Sequence, residues 1–169
     1  MKEAIENIIN KFQENETCFK IDFRSEEWRK KVPAESGWYL IKTNAPVNIL
    51  SNLINPKGKA HYNIGNRVDK NFTVDNNNLL INQKKNNIYV VYNGHAKNLK
   101  ARAREHYRGH NKTACLALKQ YKEIHEYDWY FCFLSVSTLD KDYKIDKLLR
   151  IAVEQAWRSQ FGWPILCKG

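Results

Sequence analysis

Two tyrosines, an arginine, a histidine and one late carboxylate (Tyr39, Tyr92, Arg102, His106 and Glu154) could together cleave a phosphodiester. A tyrosine hydroxyl can handle a water's proton, an arginine fork can hold a phosphate at two points, and a carboxylate can anchor a divalent cation. A free tyrosine ionises near pH ~10, so as a base it needs a cation or a basic neighbour. Tyr92-Asn93-Gly94 precedes Leu99, Arg102 and His106, whose steps of three and four return to one helix face. Lys97, Lys100, Arg104 and Arg108 fall largely off that face, free to meet phosphates outside a site.

Each residue also has a plain structural reading. Tyr39 and Tyr92 lie in aromatic strands, where rings ordinarily fill cores. His106 can be the core edge of a solvated basic helix. Arg150 and Arg158 flank Glu154 at four residues on either side, the spacing of ordinary helix ion pairs. Against that, Glu154 shares its face with Ile151, Trp157 and Phe161, which a solvated charge ladder does not need. An acid among apolar groups and arginines is better explained by a cation on it.

The elements that must position these groups follow from periodicity. Isoleucines and Phe12 at helical spacing predict a helix over Lys2 to Gln13. Ser25 is expected to cap a short helix to Lys31, ahead of Pro33. Strands are expected at Gly37 to Ile41, at Ile88 to Tyr92 (ended sharply by Asn93-Gly94) and at Trp129 to Val136. Helices are expected from Asn98, as cap, to Tyr107, from Thr113 to His125, and from about Asp142 to Gln160. The last carries a core stripe of Ile145, Leu148, Leu149, Ala152 and Ala156 and is stopped by Gly162 and Pro164.

Between Asn44 and Asn87 asparagine dominates, with proline and glycine breakers. This insertion could hold a short helix and a hairpin. It reads either as a loose surface excursion or as a presenter of donors, such as His61 and Arg67, to base edges.

A chain of 169 residues fits one domain with a real core, and its formal net charge of +10 favours a polyanionic partner. Anionic membrane is the competitor, but the polar face of the first helix is mostly acidic or neutral, so nucleic acid is preferred. The opening residues lack a signal-peptide pattern and no segment is long enough to cross a bilayer. Four dispersed cysteines without a paired motif predict a reduced, cytoplasmic protein. A zinc site from His106, His110 and Cys115 lacks the usual paired-ligand spacing.

Together these segments resemble the GIY-YIG nuclease family. Gly37-Trp38-Tyr39 is similar to its first motif and Tyr92-Asn93-Gly94 to its second, with Arg102, His106 and the late Glu154 in register, over roughly residues 37 to 167. The resemblance implies a mixed α/β domain with a small three-stranded antiparallel sheet flanked by helices. The first 35 residues would be a helical extension and residues 44–87 an insertion.

It further implies Mg²⁺- or Mn²⁺-dependent hydrolysis of double-stranded DNA in a prokaryotic or phage setting. Tyr39, helped by His106, would take the water's proton. Tyr92 would order the site or share that role. Arg102 would hold the scissile phosphate, and Glu154 would be the metal ligand. Three features depart from the pattern: polar Asn93 at an aliphatic position, a spacer of about fifty residues between the motifs, and no asparagine after Glu154. A restriction-type enzyme, acting as a homodimer or by sequential nicking, is the expected subclass. Repair-type or phage-type nicking and a non-catalytic nucleic-acid-binding module are the rivals.

Overall fold

The computed structural model describes residues 2–56, 63–73, 87–139 and 143–167. It opens with α1 (Lys2–Asn15), whose Ile8, Ile9 and Phe12 are buried as their spacing dictates. β1 (Thr17–Lys20) and the single turn α2 (Glu27–Lys30) follow. Ser25 Oγ accepts from the Glu27 backbone N–H at 3.2 Å, and the helix is shorter than its expected span. β2 (Gly37–Thr43) leads to α3 (Val47–Ser51) and α4 (Ile64–Thr73). Then come β3 (Tyr89–Ala96), α5 (Leu99–Arg108), β4 (Trp129–Ser135) and α6 (Lys147–Phe161).

Among the described residues the protein is a mixed α/β fold on an antiparallel sheet of four strands, ordered β1-β4-β2-β3. The expected three-stranded sheet is corrected by β1, which is too short for period-two alternation to reveal. The first 35 residues are thus not a helical extension alone, since β1 forms a sheet edge and α1 packs on α6. Cys18 and Cys132, register partners on β1 and β4, form a disulfide, correcting the expectation of four reduced thiols. Cross-strand register places them together although 114 positions separate them in sequence. No helix among the described residues is long and apolar enough to cross a membrane.

Side chains alternate across the sheet and split the core in two. Tyr39, Ile41, Val91, Phe131 and Phe133 pack with Leu99, Ala103 and Tyr107 of α5. Trp38, Leu40, Cys132 and Leu134 pack with α1 and with Leu149, Val153 and Trp157 of α6. The α6 stripe is therefore shifted from the expected one: Leu148 is 62% exposed, and Val153 and Trp157 do the packing.

The insertion is part of the first core. Leu50, Leu53, Ile64 and Val68 are buried in it, and Asn71 Nδ2 donates to the carbonyls of Ile165 and Cys167. The loose-excursion reading fails for residues 44–56 and 63–71; the expected hairpin and His61 lie outside the described residues.

Residues from Thr113 to His125 do not form the expected α-helix. They make two 3₁₀ turns, Leu118–Gln120 and Lys122–Ile124, after Ala117 in the left-handed conformation (φ 53°). Tertiary hydrogen bonds outcompete local propensity there, because the Leu116 N–H goes to His106 and the Ala114 carbonyl to Arg102.

Candidate active site

Strand β3 does not end at Asn93-Gly94 but runs through it, pairing Tyr39 with Gly94 and Trp38 with His95. Gly94 is required by close approach rather than by a turn. A Cβ there would lie 2.4 Å from the Tyr39 Oη and 2.7 Å from its Cζ. The phenol of Tyr39 thus crosses the strand over the one residue without a side chain.

Helix α5 begins as its sequence dictates, with Asn98 Oδ1 accepting from the Ala101 N–H at 2.9 Å. Leu99 and Ala103 are buried against the sheet, which aims Arg102 and His106 at Tyr39. Arg102 Nε donates to Tyr39 Oη at 3.0 Å, and His106 Nε2 lies 2.9 Å from the same oxygen. The Leu116 N–H donates to His106 Nδ1, so in the neutral imidazole the remaining proton sits on Nε2. Two N–H groups therefore converge on one phenol oxygen. Tyr92 stacks near-parallel to Tyr39 at 6.2 Å and tilts against His106 at 4.8 Å.

The electrostatics are mixed. Burial pushes the Tyr39 hydroxyl up to about 12, opposed by Arg102 and reinforced by the nearby Glu154 carboxylate. Burial and then Arg102 hold His106 well below the ordinary histidine value, so it is a neutral donor. Burial disfavours charge on Arg102, but Tyr39, Tyr92 and Glu105 outweigh it and its pKa is raised. Arg102 Nη1 also donates to Glu105 at 2.7 Å and Nη2 to the Ala114 carbonyl at 2.7 Å. Three of the five guanidinium protons account for these bonds, which leaves two for a further acceptor.

Glu154 comes from α6, on the other face of the sheet. Its Oε2 lies 2.6 Å from His95 Nδ1, and its Oε1 accepts from Arg158 Nη2 at 2.5 Å. It does not join the hydrogen-bond network of Tyr39, Arg102 and His106. Yet Glu154 and Tyr39 line one small cleft, with Gly94 and Asn93 between them and Phe12, Val153 and Trp157 as its apolar wall. The two halves meet across β3, an edge of the sheet.

A single hard carboxylate suits Mg²⁺ or Mn²⁺, which take one or two carboxylates and complete their shell with water and substrate phosphate. A carboxylate offers about four lone-pair sites, and two are engaged by Arg158 and His95, so the donor chemistry fits. His106, His110 and Cys115 do not assemble a zinc site. Both His106 nitrogens are engaged, and His110 Nδ1 accepts from Lys112 and Thr113.

The residues expected around the site divide as follows. Lys97 and Arg104 are exposed and Lys100 is half-buried on α5. Arg108 is not free to meet a phosphate, because Glu26 takes both its Nε (2.6 Å) and Nη2 (2.8 Å). Arg67 is half-buried on α4. The placement of Asn93 and His95 was not legible, because simple alternation from Tyr89 and Val91 would send them to the α5 face, and the irregularity in register opposite Ile41 and Lys42 turns them towards α6 instead. Arg158 was legible as an i,i+4 partner of Glu154, whereas Arg150 instead reaches the Ile145 carbonyl at 3.4 Å. Comparisons with protein-family models, curated proteins and solved structures find no match to this chain.

Proposed function

We propose that this protein is an endonuclease that hydrolyses DNA phosphodiesters with Mg²⁺ or Mn²⁺, of restriction type and related to the GIY-YIG nucleases. One observation carries the reading: two N–H donors converge on the buried Tyr39 oxygen in a cleft that also holds a carboxylate. A purely structural tyrosine would be satisfied by one partner and would not need an acid across the strand.

Tyr39 begins protonated at neutral pH, since burial sets its value at about 12. Arg102 and His106 donate to its oxygen and would stabilise the phenolate left once the phenol has released its proton to solvent, and that phenolate could then accept the attacking water's proton. His106 acts as donor, not as base, because the Leu116 amide fixes its tautomer. Tyr92 stacks on Tyr39 and limits its ring to one plane. The remaining Arg102 protons would hold the scissile phosphate and offset charge as it grows. Glu154 would hold the cation, which when bound polarises the phosphate and stabilises the leaving oxygen. Lys97, Lys100 and Arg104 would meet flanking phosphates. Cutting both strands calls for two copies or two sequential nicks.

A plasmid-nicking assay with and without Mg²⁺ tests the reading. Native protein should nick only with the metal, while Glu154→Ala and Arg102→Ala should lose cleavage by roughly a hundredfold or more and retain DNA binding. Undiminished cleavage in both variants discards the assignments. Binding without cleavage by the native protein points to the non-catalytic module, and competition by RNA or branched DNA resolves the substrate.

A further inference from the structure

Polar Asn93 stands at 2% exposure, buried where an aliphatic side chain would pack without cost. Its neighbours explain it. Arg158 Nε donates to Asn93 Oδ1 at 2.7 Å and the Cys167 thiol to the same oxygen at 3.3 Å. Asn93 Nδ2 donates to the Glu154 backbone carbonyl at 3.3 Å. Arg158, only 9% exposed, also lies over the Trp163 ring at 4.7 Å and gives Nη2 to Glu154 Oε1. One amide therefore grips the helix at Glu154 and aims the guanidinium that grips the Glu154 side chain.

We infer that Arg158, held by Asn93, is a positioning residue that fixes the Glu154 carboxylate for a divalent cation. The inference rests on the endonuclease reading. A glutamate side chain has three rotatable bonds, and freezing it on a cation costs conformational entropy when nothing holds it beforehand. The strut removes that freedom beforehand. Charge alone cannot be its purpose, since a guanidinium beside a metal ligand repels the incoming cation. What it supplies is direction: Oε1 is tied to Arg158 and Oε2 faces His95. Outer partners of metal-ligating carboxylates act in this way.

Asn93→Val and Arg158→Lys separate direction from charge, because both retain a cation near Glu154 and both abolish the fork onto the amide. In ¹⁵N-labelled protein without DNA, Mn²⁺ should broaden backbone signals around Glu154. The Mn²⁺ concentration for half-broadening should rise roughly tenfold in either variant, matching the usual cost of losing such a partner. The Mg²⁺ concentration for half-maximal cleavage should rise in parallel, while turnover at saturating Mg²⁺ returns towards the native value. A folded variant with native Mn²⁺ and Mg²⁺ midpoints overturns the inference; should Asn93→Val not fold, Arg158→Lys decides alone. If native protein shows neither the broadening nor cleavage, the endonuclease reading falls and takes this inference with it. If native protein shows both and the variants match it, only the positioning role falls.

Discussion

At the scale of single residues, the packing of Tyr39 over Gly94 is the tightest constraint on the site. Gly94→Ala would set a methyl inside the phenol, forcing the ring aside at a cost of about 1–3 kcal/mol. Displacing Tyr39 by even an ångström should lower cleavage by roughly a hundredfold, read by nicking kinetics at a temperature where the variant stays folded. His106 gives a pH signature. Its folded value lies well below the unfolded one of about 6.5, so below that pH the unfolded chain holds a proton that the folded chain refuses. Its contribution to stability is complete above about pH 6.5 and declines as the pH falls. His125 is depressed too, by burial, and adds the same sign. The urea midpoint of native protein should therefore drop on acidification, and His106→Gln should drop less steeply. Arg102 and His106 were legible as one helix face from their spacing, whereas Tyr39, on a separate strand, was linked to them only by the resemblance to a known motif pattern. The donor role of His106 was not legible, since it depends on the Leu116 amide ten positions away.

At the scale of elements, α5 carries the site because its start is fixed. Asn98→Ala removes the cap, and thermal unfolding should show about 1 kcal/mol lost. Turnover should fall alongside, because the first turn bears on Arg102. This cap was readable from sequence, as were α1, β2 and the existence of α6. The helix expected at Thr113 to His125 failed for a physical reason: its amides and carbonyls serve α5 instead of one another. β1 escaped notice because four residues with one cysteine give no alternation to read. The insertion escaped because its short apolar patches become core only once the sheet exists to receive them.

At the scale of the whole molecule, the net charge of +10 predicts DNA binding that weakens steeply with salt. Replacing Lys100 or Arg104 by Ala should each flatten the slope of log affinity against log salt by about 0.9. Arg108→Ala should leave the slope unchanged, since Glu26 already neutralises it. Fluorescence anisotropy with labelled duplex at several salt concentrations distinguishes the three. A last consequence comes from where the two halves of the cleft are anchored. α5 sits under one face of the sheet and α6 over the other, and at the cleft the marginal strand β3 runs between the two halves. Marginal strands open sooner than central ones. On gentle heating, enzymatic failure should thus arrive several degrees ahead of the circular-dichroism transition, with most of the architecture still standing.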